Sequence, residues 1–343
     1  MNPADSIRGC LLGGAVGDAL GLPAEGLSRR RIAARWRGKW EHRFFAGRGW
    51  CSDDTEHSLM VAAALVRHRS DAAAFQRSLA RSLRWWLAAL PAGVGLGTAR
   101  AILKLWCGWP PARAGVRSAG NGAAMRSAVI GVVFAGEPAR RLVFTEASAR
   151  LTHADARAIE AAQLVAEAAA CACEQTSNST ALERLHPLVS TTAMAAHWQH
   201  LVSSLGREAS VAAFAETIGC QKGVSGYAPH TAAVALYAWL RHRGNFRDTL
   251  ESVLNCGGDT DSTAAIAGGI AGAECAPDSM PAHWLHGLAD WPRSLSYIEA
   301  MAGALATGAA EPPRLFWPAV PLRNAAFLIV VLGHALRRAF PPW

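Results

Sequence analysis

Four short segments of this chain hold residue types able to do chemistry. In Ser52-Asp53-Asp54-Thr55, two adjacent carboxylates stand between hydroxyls, directly before an apolar helical pattern. All-oxygen ligands of this kind suit a hard cation such as Mg²⁺ or Mn²⁺. Gly257-Gly258-Asp259-Thr260-Asp261-Ser262 repeats the composition. Asp259 and Asp261 are two apart, so a turn must bring them together, and the preceding glycines allow the sharp backbone path. Either segment alone also reads as a capped helix start with acid in its first turn. Together they put four carboxylates into a core-rich chain, where they would repel unless neutralised. A pair of divalent cations would neutralise them. Gly17-Asp18-Ala19-Leu20-Gly21-Leu22-Pro23-Ala24-Glu25 sets a glutamate just past a helix end, which by itself reads as an ordinary loop residue. In the segment from Arg117 to Arg126, Ser118, Gly120, Asn121 and Gly122 form a glycine-flanked stretch whose amides can wrap a phosphate, with arginine adding charge. A flexible turn would use the same residues.

The elements that must position these groups read as helices. Glycines 9, 13 and 17 recur every fourth residue within a helical stretch over 4–20, with Gly21 at the next step. Small residues at that spacing let a second helix approach closely, and Gly21 suits a helix end. No strand precedes them and the spacing is wrong, so they are not a dinucleotide fingerprint. Apolar periodicity predicts further helices over 55–68, 72–90, 154–173, 211–218, 231–241 and 263–273. Residues 129–134 are strand-like but isolated, and 91–122 and 174–180 read as loops. A Pro-rich stretch over 311–321 leads to an apolar run over 325–336. The expectation is all-α, with a catalytic domain over 1–310 and a C-terminal connection and helix over 311–343 packed on it.

Composition narrows the function. The chain has 343 residues, 51% of them hydrophobic, and a net charge of +8 that comes almost wholly from arginine. A basic balance favours anionic partners, but no basic-aromatic nucleic-acid motif occurs, so no stable nucleic-acid partner is expected. Eight cysteines without a C-x-x-C pair fit a reduced, cytoplasmic protein. The first residues lack a signal-peptide pattern, and the C-terminal apolar run is shorter than the ~20 residues a bilayer span needs. A monomer without a membrane span is expected.

G-x-x-x-G-D-A-L-G-x-x-x-E, S-D-D-T, S-x-G-N-G-x-x-M-R, T-H and G-G-D-T-D-S occur in this order between about Gly9 and Ala273. The set resembles the ADP-ribosyl glycohydrolase family, of the dinitrogenase-reductase-activating and ADP-ribosyl hydrolase type. The resemblance implies a compact multi-helix fold with two Mg²⁺ or Mn²⁺ ions between helix starts. It implies metal ligation by Ser52, Asp53 and Asp54 from one side and Asp259, Asp261 and Ser262 from the other. Serines 52 and 262 stand where threonine is common and keep the hydroxyl. Glu25 matches the glutamate near the scissile bond. Ser118, Gly120, Asn121 and Gly122 match the loop that holds ribose and phosphates, and His153 a histidine near the ribose. Tyr227 is either a platform for adenine or a core tyrosine. Asn121, remote from the aspartates in sequence, is expected to act on ligand and leave the metals alone.

The implied activity is hydrolysis at the distal ribose of ADP-ribose, releasing it from a protein side chain or small acceptor. A hydrolase of another nucleoside or sugar conjugate, or a non-catalytic binder of the same fold, is the alternative. Glu56-His57 departs from the family pattern, in which an uncharged residue and Met follow Asp-Asp-Thr. The pair either lies on a face away from the metals or retunes their chemistry.

Overall fold

The computed structural model describes residues 2–339. Among them the chain is a set of helices joined by loops, with isolated bridges between loops and no sheet. The N-terminal helix, Pro3–Gly21, starts at Asn2, whose side chain accepts from the Ala4 amide. Its glycines face the helix Thr260–Glu274 running the other way. A Cβ on Gly9 would lie 2.0 Å from the Gly272 carbonyl, on Gly13 2.3 Å from Gly268, on Gly17 2.1 Å from Ala264 and on Gly21 2.5 Å from Thr260. The four glycines therefore set the distance between the two helices. They also bring the end of the first, with Asp18 and Glu25, beside the start of the other, with Asp259 and Asp261.

The Ala-rich helix Ala156–Cys173 is buried on nearly every face, as expected for a helix apolar all round. Residues 129–134, strand-like in sequence, form most of a short helix, Ala128–Val133, all six of whose residues are buried. A Cβ on Gly131 would lie 2.0 Å from the Ala166 carbonyl. Close packing on a helix outweighs β propensity where no partner strand exists. The stretch read as loop over 91–122 contains Leu96–Trp106, whose Thr98, Ala101, Ile102 and Leu105 are buried at helical spacing, and the short Pro111–Ala114. Helices Pro138–Arg150, Thr192–Gly206, Phe246–Leu254 and Leu295–Thr307 lie where the sequence marked no element.

The C-terminal helix, Ala319–Ala339, is longer than its apolar run. By length and composition alone, Ala319–Arg337 would suffice to cross a membrane. Its inner face is fixed to the domain. Asn324 donates to the Ala89 carbonyl at 2.8 Å, the rings of Phe327 and Phe44 stack at 4.9 Å, and His334 Nε2 lies 2.7 Å from the Phe44 carbonyl. The outer face, including Leu322, Ile329, Leu332 and Leu336, is exposed.

Candidate active site

The site is organised around a residue the sequence reading left inside a motif without a role. Asp18, fully buried near the end of the N-terminal helix, accepts from the Ser52 amide at 3.0 and 2.9 Å. It also accepts from the Thr55 amide at 3.1 Å and the Thr55 hydroxyl at 2.5 Å. Burial pushes its pKa up to about 6 against these donors. Asp18 thus pins the start of the helix Asp53–His68. A lone charge within an Ala/Gly/Leu run that must be buried was the available signal.

At that start, Ser52 caps the helix, its hydroxyl accepting from the Asp54 amide at 3.2 Å. The same hydroxyl donates to Asp54 Oδ2 at 3.0 Å, and Ser262, across the site, donates to that oxygen at 3.1 Å. Asp54 Oδ1 and Asp261 Oδ1 are buried with no hydrogen-bond partner. Burial, then Asp53, Asp18 and Asp259, holds the Asp54 carboxyl well above the usual carboxylate range. Burial, then Glu25, Asp259 and Asp54, does the same to Asp261. Asp53 is raised by burial, then by Asp18, Glu56 and Glu25.

Gly257 and Gly258, with φ of 72° and 83°, thread the other half of the site between two loops. The Gly258 amide donates to the Leu27 carbonyl at 2.9 Å, and Gly26 donates back to the Gly258 carbonyl at 2.8 Å. On the other side, Val224 donates to Gly257 at 2.9 Å and Asp259 donates to Val224 at 2.7 Å. A Cβ on Gly258 would sit 2.0 Å from the Val224 carbonyl. The turn so held carries Asp259 between Glu25 and the segment leading to Tyr227.

The loop of Ser118, Gly120, Asn121 and Gly122 is tied to that segment. Asn121 donates its amide to the Gly226 carbonyl at 3.0 Å, and Ala228 donates to Ala119 at 2.8 Å. The Asn121 side chain donates to Asp259 Oδ2 at 2.7 Å. This corrects the expectation that Asn121 is independent of the aspartates, because separation along the chain says nothing of separation in the fold.

His153 is buried beneath this loop. Cβ atoms on Gly97, Gly120 and Gly122 would fall 3.4, 3.3 and 2.9 Å from its imidazole, so the glycines leave room around the ring. Arg126 Nη2 donates to Thr152 Oγ1 at 2.8 Å, and that hydroxyl lies 2.9 Å from His153 Nδ1. With Oγ1 accepting from Arg126, its hydrogen is free to point at Nδ1, an arrangement in which Nε2 carries the proton of a neutral ring. Burial, then Arg126, pushes the imidazole pKa down to about 3. Arg126 is fully buried and bonded to the Gly122 carbonyl and to Ser148 as well, so it braces the loop from below.

Tyr227 is half-buried at the site's rim rather than in the core. Its ring lies under the Arg157 guanidinium, 5.6 Å from the centroid, and edge-on to His230 at 5.1 Å. Glu25 is exposed.

Glu56 and His57 point away from the cluster. Glu56 accepts from Arg293 at 2.6 Å and the Trp86 indole at 2.5 Å, with Arg323 at 3.5 Å. His57 Nδ1 lies 3.3 Å from Arg126 Nη1, and burial holds the ring neutral.

The donor set fits hard cations. Octahedral Mg²⁺ bonds place neighbouring ligand oxygens roughly 3 Å apart, close to the 3.0 and 3.1 Å from Asp54 Oδ2 to the Ser52 and Ser262 hydroxyls. The orphaned oxygens of Asp54 and Asp261 offer free lone pairs. Among the described residues, no three His, Cys, Asp or Glu side chains form a ready-made cage. Mg²⁺ is commonly held by one or two carboxylates with water, so the arrangement suits ions shared between the two helix starts.

An all-α enzyme of the glycosidase class is what this fold and site define. The chain belongs to the ADP-ribosylglycohydrolase family, which it matches over residues 1–314. It is a hydrolase of ADP-ribose linkages. It is 29% identical over 293 residues to the ADP-ribosyl-[dinitrogen reductase] glycohydrolase of Rhodospirillum rubrum, covering 82% of this chain and 89% of that one. It is also 29% identical over 329 residues to the ADP-ribosylhydrolase ARH3 of Gallus gallus, at 82% and 88% coverage. An uncharacterized protein of Archaeoglobus fulgidus is 33% identical over 300 residues, at 83% and 92% coverage. A solved structure described as an ADP-ribosylglycohydrolase-related protein complex superposes with a TM-score of 0.67 at 27% identity, covering 90% of this chain and 99% of that one.

Proposed function

We propose that this enzyme cleaves the glycosidic bond at the distal ribose of ADP-ribose, freeing it from a modified protein side chain or small acceptor, with two Mg²⁺ or Mn²⁺ ions bound. The observation that carries the metal requirement is the pair of buried, unpartnered oxygens on Asp54 and Asp261. Asp53, Asp54, Asp259 and Asp261, with the hydroxyls of Ser52 and Ser262, would hold the ions. Bound cations lower the pKa of water and polarise ribose hydroxyls.

The chain's own groups do the rest. Asp18 fixes the backbone of Ser52 and Thr55, and Asn121 aims Asp259. The neutral His153 presents Nε2–H toward the glycine-lined space, where it donates to a ribose or phosphate oxygen. Ser118, Gly120 and Gly122 shape that space, and Tyr227 with Arg157 offers a flat, cationic rim. Glu25, exposed beside the cluster, accepts or delivers the proton of the reaction, whose transition state has oxocarbenium character. The test is release of free ADP-ribose from arginine-, serine- and nucleobase-linked substrates in Mg²⁺ or Mn²⁺. Turnover of at least one is expected, and failure on all of them with metal present would overturn the reading.

A further inference from the structure

A cavity of about 920 Å³ lies against the stripe of the helix Asp53–His68 that carries Glu56, Met60 and Ala63. Glu56, Leu59, Met60, Ala63 and Arg67 line it from one stripe of that helix. Trp85 and Trp86 face them, and Tyr297 and the Pro-rich connection close it. Its volume and apolar, aromatic lining are those of a small-molecule site with a few placed polar groups. None of Asp53, Asp54, Asp259 or Asp261 lines it.

The mouth is positively charged. Arg67, Arg81 and Arg314 stand there against one carboxylate, Glu311, which Arg67 already holds at 2.9 Å. Among the described residues, Arg81 and Arg314 have no ionic partner. A neighbouring depression of about 610 Å³ adds Arg77 beside Arg81. The carboxylate at the floor, Glu56, is neutralised by Arg293 at 2.6 Å. An apolar interior with a neutral floor and an unpaired cationic mouth selects an apolar body carrying one anionic head. We infer that this cavity is a second ligand site, separate from the catalytic cleft, for an amphipathic organic anion such as a medium-chain or aromatic carboxylate.

The test uses the full-length protein and the fluorescent anion 1-anilinonaphthalene-8-sulfonate. Saturable binding near one per chain is expected, displaced by decanoate but not by decanol or decylamine. Reversing both mouth charges, Arg81→Glu with Arg314→Glu, should weaken probe binding roughly tenfold while ADP-ribose release stays unchanged. Ala63→Trp, which fills the cavity, should abolish binding. Asp261→Ala should leave it intact. Non-saturable binding, equal displacement by decanol, or unchanged affinity in both cavity variants would overturn the proposal. Displacement by ADP-ribose would assign the probe to the catalytic cleft and overturn it equally.

Discussion

Two sets of buried carboxylates in this molecule are treated in opposite ways. Away from the site, each finds arginine or a row of donors. Glu56 has Arg293 and Arg323, Asp290 has Arg323 at 2.5 Å, and Glu167 has Arg141 at 2.6 Å and Arg184 at 2.7 Å. Glu160 accepts from the Ser190 and Thr191 amides at 2.5 and 2.8 Å. At the ends of the two glycine-packed helices, Asp53, Asp54 and Asp261 have no arginine, and Asp54 and Asp261 each keep an orphaned oxygen. A buried charge left unpaired is costly. The proposed cations would supply there the positive charge that arginine side chains supply elsewhere.

The contrast is sharpest in paired substitutions. Asp261→Asn should cut ADP-ribose release by more than about 100-fold, beyond the loss seen when only an outer partner of a metal ligand is removed. The metal-free protein should keep its melting temperature or gain, since a repelling charge is gone. Glu56→Gln should do the reverse, destabilising the fold by about 3 kcal/mol because Arg293 and Arg323 lose their buried partner, while the folded fraction still turns over. Thermal melts and steady-state rates on both variants make the comparison. Equal behaviour of the two would erase the distinction.

Asn121→Ala should act between these extremes. It removes the donor that aims Asp259, so apparent metal affinity should fall by roughly tenfold, read by Mn²⁺ titration of activity. An unchanged titration with weakened ADP-ribose binding would restore the loop to ligand contact alone.

A smaller effect comes from protons. Asp18, Asp53, Asp54 and Asp261 have folded pKa values above the unfolded ones. The folded state therefore holds more protons than the unfolded chain, and stability falls as pH rises through that window. For Asp18 the window runs from the ordinary carboxylate range to about 6. Metal-free protein should melt at a higher temperature at pH 5 than at pH 7, and saturating metal should remove or invert the slope. A metal-free melting temperature that rises with pH over this range would contradict the raised values.

What the sequence made legible was whatever lies within a few residues: the four-residue glycine step, the two acidic helix starts and the Gly-flanked loop. The glycine stripe showed that a second helix could come close without saying which, and the structure places Gly9 on Gly272 and Gly21 on Thr260. Contacts between remote segments were not legible. Asp18 is the one charge in the apolar run from Gly9 to Leu22, and its donors are the Ser52 amide and the Thr55 amide and hydroxyl. Asn121 meets Asp259 across 138 residues. The placement of the His153 ring depends on contacts from Arg126 through Thr152, and its neutral state on burial. Glu56 stood out only as a departure from the family pattern, with its place open, and its partners, Arg293 and Arg323, come from the far end of the chain. Arg323 also donates to the Cys51 carbonyl, so the C-terminal helix braces the strand of backbone that leads into Ser52.

The central claim is that divalent cations supply the charge which arginine supplies elsewhere. A cation that binds only the folded state adds about 2.7 kcal/mol at a hundredfold excess over its Kd. The direct measurement is a thermal melt with a parallel ADP-ribose release assay, in chelator and in Mg²⁺ or Mn²⁺, on the wild type and Asp261→Asn. A metal-dependent rise in Tm with recovery of turnover in the wild type, both lost in the variant, is the predicted result. Full turnover and an unchanged Tm in exhaustively metal-free wild-type protein would contradict the account.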